Sequence, residues 1–330
     1  MTVVAGVSLF DGVMLLSDAR ATIRVGGKSD LHCDIVQKLI PIAPTVAIGF
    51  SGDIRTVSFL ISLAGRQLRN RRHQDAVSVM LWLPRLFRAG YRRFAERRQA
   101  DRVSFIVGSV LTGRNNIVER QKVVDIMRTI ASGASIIHRT FLPDILVRIL
   151  QTSSATTHVT IPGTGRGMLY AMHSPDFGLQ PSKTLEYCAI GSGLGAVREI
   201  NRNADWIFAG LPGNDFAESM ALRDAVMEFI AAERIVDVGG MYPCLKIDER
   251  GIRLLGMTMQ SDNARVSLRY DSGLARWMQK NEITGNEVML LRPWEINAKS
   301  IKRSILFDDF AEAIREFNGR RLGGETANRL

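Results

Sequence analysis

The chain has 330 residues, 46% of them hydrophobic and 23% charged. That composition is globular and excludes a disordered, collagen-like or disulfide-stapled protein. The formal net charge is +10, and no stretch approaches the ~20 apolar residues that a membrane-spanning helix needs.

In chain order, TVVAGVSLF at 2–10 and VMLLSD at 13–18 flank Asp11-Gly12, a pattern that predicts a β-hairpin. IVQKLI at 35–40 and TVAIGF at 45–50 predict two more strands, so the chain opens with four. Val57, Ile61, Ala64 and Leu68 repeat at helical spacing. A second helix is expected over 75–98, bent or broken by Pro84. VSFIVGSV at 103–110 reads as a strand. Residues 112–163 read as an insertion with helical stretches at 117–130 and 140–151. Strands resume at 167–173 and 184–190, and Gly191–Gly195 turns into a helix near 195–208. A further helix is expected over 215–233, then strands at 235–247 and 252–260. The domain is expected to span 2–262, followed by a C-terminal extension at 263–330 with one amphipathic helix near 304–318. Strands and helices come in groups rather than alternating singly. That order predicts an α+β protein in which two helical layers flank stacked antiparallel sheets.

Thr2 is the first candidate for chemistry. Removal of Met1 would leave an N-terminal threonine, whose hydroxyl is a nucleophile and whose α-amine is a base. The ordinary α-amine pKa of about 7.7–8.0 suits that role near neutral pH. Lys38 lies inside the apolar run IVQKLI, where an inward-facing charge needs a partner.

Five further landmarks follow Thr2 in order: Ser17-Asp18-Ala19-Arg20, Lys38, Ser51-Gly52 before the first long helix, Gly191-Ser192-Gly193, and Asp237 before Gly239-Gly240. With them, residues 2–111 and 164–260 resemble the proteasome β-subunit family and its bacterial HslV-type relatives. The resemblance implies an αββα four-layer sandwich, the fold of N-terminal-nucleophile (Ntn) hydrolases. It also implies hydrolysis of peptide bonds through a Thr2 acyl ester. In that scheme Lys38 lowers the hydroxyl pKa, Asp18 holds Lys38, and the Gly52 N–H donates to the oxyanion. Ser192 and Asp237 orient the Thr2 amine and a water. No cofactor is implied. The implied partners are a homo-oligomeric ring, an unfolded polypeptide substrate and a separate ATP-dependent unfoldase. Two alternatives stay open: a catalytically silent scaffold with the same fold, and an amidase acting on a small substrate. One departure is Val238, at a position where the family usually carries serine.

Other features have plainer readings. Gly191-x-Gly193-x-x-Ala196 matches a dinucleotide fingerprint, but the acidic residue that motif requires would fall in a loop between helices. Cys33, Cys188 and Cys244 are expected to be buried thiols. The histidines at 32, 73, 138, 158 and 173 lack metal-ligand spacing. Residues 66–102 hold eleven arginines against three acids. That segment reads as a solvated helix face or subunit contact rather than a nucleic-acid site. The N-terminus lacks the basic region of a signal peptide, so a cytoplasmic location without a membrane anchor is expected.

Overall fold

A computed structural model describes residues 2–8, 12–23, 31–69, 76–111, 117–119, 158–160, 166–182, 187–192, 238–239, 241–248, 250–255, 257–260, 265–271, 274 and 276–296. The first half of the chain contains β1 (Val3–Ser8), β2 (Val13–Ser17), β3 (Ala21–Ile23), β4 (Leu31–Cys33), β5 (Leu39–Ala43), β6 (Val46–Gly52), α1 (Ile54–Arg69), α2 (Ala76–Ala95) and β7 (Val103–Leu111). The short strands β8 (Ile117–Glu119) and β9 (His158–Thr160) pair with each other. β10 (Arg166–His173), β11 (Gln180–Pro181), β12 (Tyr187–Gly191), β13 (Cys244–Asp248) and β14 (Gly251–Leu255) complete two larger sheets. β15 (Met257–Gln260), β16 (Arg265–Asp271), β17 (Arg276–Asn281) and β18 (Glu287–Met289) form a third.

The protein is strand-rich, and its two main sheets are antiparallel. One has the order β12-β1-β2-β13-β14 and the other β11-β10-β7-β6-β5. Side-chain alternation divides the core. From β6 and β7, Ala47, Ile106 and Val110 face the first sheet and join Val4, Val13, Leu15, Leu245 and Ile247. Their neighbours Ile48, Phe50, Phe105 and Val107 face the other way, onto Val57, Leu60 and Ala64 of α1 and Val79, Leu83 and Phe87 of α2. The period of two in the strands and of about 3.6 in the helices therefore meet at one apolar layer. Asp53 caps α1, accepting from the Thr56 N–H at 2.9 Å and the Thr56 hydroxyl at 2.7 Å. Burial alone would raise its carboxyl pKa, but the bonds from Thr56 together with the neighbouring Arg55 outweigh that and lower it.

Several expectations change. The opening region has six strands rather than four, because β3 and β4 form a separate short ribbon. The strand expected at 35–40 begins only at Leu39, so Lys38 stands immediately before β5. Residues 35–37 are drawn instead into contacts with Ala19 and Leu291. Pro84 does not break α2, which runs unbroken from Ala76 to Ala95. The helix expected at 117–130 starts as strand β8, its register fixed by β9. Of the strand expected at 235–247, the described residues 238–239 and 241–243 are not strand and β13 starts at Cys244. The strand expected at 252–260 is two strands in different sheets, β14 and β15. β15 pairs with β16 across the boundary expected between 262 and 263, so the extension contributes a sheet as well. The helices expected at 140–151, 195–208, 215–233 and 304–318 lie outside the described residues. Cys33 and Cys244 are buried thiols, whereas Cys188 is half-buried. Among the described residues, no helix is long and apolar enough to cross a membrane.

Phe87 is fully buried, with ring centroids 4.7 Å from Phe105 and 5.9 Å from Phe177. Phe87→Ala is expected to cost about 3–5 kcal/mol of stability in urea unfolding. Leu81→Ala on the exposed side of the same helix, where the side chain is 66% exposed, is expected to stay within ~0.5 kcal/mol.

Candidate active site

β1 and β2 pair through Val4↔Ser17, which leaves Thr2 and Asp18 just beyond the end of the hairpin ladder. The two strand ends are tied directly. The Asp18 N–H donates to the Val3 carbonyl at 3.1 Å, and the Val3 N–H donates to Asp18 Oδ1 at 2.9 Å. The Arg20 N–H donates to Asp18 Oδ2 at 3.2 Å. Asp18 is therefore fixed by backbone donors before any side chain approaches it.

Lys38 reaches this point from the lead-in to β5. Its Nζ lies 2.8 Å from Asp18 Oδ1 and 2.9 Å from Thr2 Oγ1, and it also donates to the Arg20 carbonyl. Three acceptors match the three donors of an ammonium. Asp18 is fully buried, Lys38 nearly so, and Thr2 is 8% exposed. Burial pushes the Asp18 carboxyl pKa up, opposed by the Lys38 charge and by the donated hydrogen bonds. Burial pushes the Lys38 ammonium pKa down, opposed by Asp18. As an ammonium the lysine has its acceptors in place, and it is more ready to release a proton than a solvated lysine.

Behind this group stands a second ion pair. Arg20 donates through Nε to Asp34 Oδ1 at 2.6 Å and through Nη2 to Asp34 Oδ2 at 2.8 Å, and both residues are buried. Such a two-point pair fixes direction as well as distance. It holds the Arg20 backbone, whose carbonyl serves Lys38 and whose N–H serves Asp18. Asp34 is absent from the sequence-derived set. Its position between Cys33 and the apolar Ile35-Val36 is the same signal that singled out Lys38.

Gly52 closes β6 at a φ of +108°, a left-handed conformation that disfavours any side chain. The Val110 N–H donates to Thr45 O, so hydrogen-bonded pairs alternate along the register and 51/104 is one of them. The Gly52 N–H therefore points off the β6–β7 ladder, toward the side on which Lys38 lies. Gly191 at the end of β12 has a φ of +72°. A Cβ there would come within 2.1 Å of the Thr2 carbonyl oxygen and 2.5 Å of Ser51 Oγ. Next to it, the Ser192 N–H donates to the Thr2 carbonyl at 2.8 Å. Ser192 Oγ is buried and has no hydrogen-bond partner among the described residues.

The structure therefore brings Thr2, Asp18, Lys38 and Ser192 together and places Ser51-Gly52 beside them. Asp237 lies outside the described residues. Val238 is buried, and the Gly239 carbonyl accepts from the Ala19 N–H at 3.1 Å, so this segment runs alongside the site. The dinucleotide reading of Gly191–Ala196 meets a different frame, since β12 is an edge strand paired antiparallel to β1. Among the described residues, no cluster of His, Cys, Asp and Glu could hold a metal ion. No protein-family model matches the chain, and no curated protein matches it.

Asp18→Asn removes the buried counter-charge of Lys38 and is expected to cost about 3–5 kcal/mol. Arg269→Gln breaks a half-exposed pair with Glu287 and is expected to cost no more than ~1 kcal/mol. Urea unfolding of the two variants against the parent measures the contrast.

Proposed function

We propose that the chain is a threonine-type N-terminal-nucleophile hydrolase with a proteasome-like αββα fold. The supporting observation is the buried Lys38 ammonium, 2.9 Å from the Thr2 hydroxyl and 2.8 Å from the Asp18 carboxylate. An ammonium in that position lowers the hydroxyl pKa and stabilises a developing alkoxide. The two antiparallel sheets and the α1–α2 layer are compatible with this fold. Its second helical layer would come from the helices expected at 195–208 and 215–233.

In this reading, removal of Met1 frees the Thr2 α-amine. The amine takes the hydroxyl proton, and Oγ1 attacks the substrate carbonyl carbon. The negative charge formed on the carbonyl oxygen is met by the Gly52 N–H, a donor of a kind whose loss typically costs ~10²–10³ in rate. The tetrahedral intermediate collapses, the C–N bond breaks, and the leaving amine departs with the proton. Water then hydrolyses the Thr2 ester. Ser192 and Asp237 would orient the amine and that water. The substrate class is the peptide bond of an unfolded chain, admitted to a homo-oligomeric ring by a separate ATP-dependent unfoldase. A location in the cytoplasm goes with that assembly.

A second reading, a silent scaffold of the same fold, is favoured by one feature. Val238 is buried and offers no hydroxyl where the resembled family usually carries serine. An amidase acting on a small substrate would use the same nucleophile and is separated by comparing unfolded chains with small amides.

Intact mass before and after an epoxyketone or β-lactone decides between enzyme and scaffold. The expected result is loss of Met1 plus one adduct, with no adduct in Thr2→Ala. Retention of Met1, or a trimmed chain that takes no adduct, overturns the enzymatic reading. The adduct rate is also expected to fall on the alkaline side. Burial lowers the Lys38 pKa from the ordinary 10.5, so the ammonium form is lost below that pH, and the falling limb lies below it as well.

A further inference from the structure

The segment that delivers Lys38 is held from two sides, and one side belongs to the C-terminal part of the chain. The Val36 N–H donates to the Ala19 carbonyl at 2.9 Å, tying the segment to the residue between Asp18 and Arg20. From the opposite edge, the Leu291 N–H donates to the Ile35 carbonyl at 2.6 Å, and the Gln37 N–H donates to the Leu291 carbonyl at 2.7 Å. This is a single parallel bridge, Val36↔Leu291. Lys38 follows directly on Gln37, whose N–H makes the second of these bonds.

Residue 291 is itself anchored. The Leu290 N–H donates to the Trp277 carbonyl at 2.9 Å, joining the segment to β17, and Trp277 is fully buried. Val288 and Leu291 lie in the same apolar cluster as Ile35, Val36, Phe50 and Val57. Just beyond, Arg276 pairs with Glu295, which also accepts from the Arg292 N–H at 2.9 Å. The short turn Pro293–Glu295 packs against α1.

We propose that residues 257–296 act as a strap that positions Lys38, with the Leu291 backbone as its point of contact. The inference rests on the function proposed above for the same lysine. Leu291 touches neither substrate nor the reacting atoms, so it is a positioning residue. Its leverage comes from proximity. The Lys38 ammonium meets all its acceptors at hydrogen-bond distance, and a shift of ~1 Å in its backbone would break those bonds. Displacements of that size cost roughly 10²-fold in rate elsewhere.

Leu291→Pro in the full-length chain deletes the N–H that holds Ile35, and Leu291→Val keeps both backbone bonds. Two quantities are measured: the rate of Thr2 adduct formation across pH, and the rate at which an amine-directed acylating reagent labels Lys38, read by peptide mass spectrometry. Leu291→Pro is expected to slow adduct formation about 10- to 100-fold and to speed Lys38 labelling. It is also expected to move the alkaline limb of the adduct profile to higher pH, because a displaced Lys38 loses the burial that lowers its pKa. Leu291→Val is expected to match the parent. A parent-like profile and labelling rate in Leu291→Pro overturns the strap, as does equal slowing in Leu291→Val, which would assign the effect to side-chain packing. If Leu291→Pro does not fold, Glu295→Gln decides: faster Lys38 labelling supports the strap, and unchanged labelling overturns it. A parent chain that takes no adduct overturns the proposed function instead, and the labelling comparison still tests the strap.

Discussion

The Lys38 ammonium is buried, and a buried cation must be surrounded by acceptors and opposite charge or it will not remain a cation. Much of the local architecture meets that requirement. Asp18 supplies the charge, the Arg20 carbonyl and Thr2 hydroxyl supply the remaining acceptors, and backbone N–H groups of Val3 and Arg20 hold Asp18 in turn. Thr2 is thereby part of a structural solution as well as a chemical one. Its hydroxyl satisfies the third ammonium proton, so the proposed nucleophile is fixed by the same bonds that would activate it.

Sheet register turns this local need into a site. β1 carries Thr2 and is bracketed by β2 and β12, so Asp18 and Ser192 arrive at its head from opposite sides. β6 belongs to the other sheet, and the apolar layer between the sheets brings its end, Ser51-Gly52, to the same place. A one-residue slip of either hairpin would move every side chain to the opposite face and dismantle the group. The core between the sheets therefore enforces the spacing of the polar atoms at their edge.

The residues that were legible in the sequence are those where a local rule and a burial pattern agree. Lys38 stands out because a charge interrupts an apolar run, and the hairpin expected from Asp11-Gly12 implies an Asp18 near Thr2. Helix α1 announces itself by its periodicity. Asp34 carried the same signal as Lys38 but had no landmark to draw attention to it. The third sheet was missed for a different reason. RVSLRYD mixes apolar with polar and charged residues, RWMQKN has only Trp277 and Met278 as apolar residues, and β16 buries only Val266 and Leu268 while its other side chains are half-buried or exposed. Such strands have no dense apolar run. The bridge between Val36 and Leu291 spans more than 250 residues, and no local pattern can reveal a contact at that separation.

Two ion pairs share one backbone turn, and this makes them a unit. Arg20 and Lys38 contribute two positive charges, and Asp18 and Asp34 contribute two negative ones, so the cluster is neutral as a whole. Arg20 belongs to both pairs, through its guanidinium to Asp34 and through its main chain to Asp18 and Lys38. Removing any one member leaves an uncompensated buried charge, so the losses cannot add independently. Neutrality also serves the chemistry. A cluster with surplus negative charge would hold the Lys38 proton too tightly, and one with surplus positive charge would expel it. With the charges balanced, burial becomes the deciding influence on Lys38. Burial leaves the ammonium paired with Asp18 yet easier to deprotonate than in water, which is the balance that the proposed mechanism would ask of a group beside a forming alkoxide.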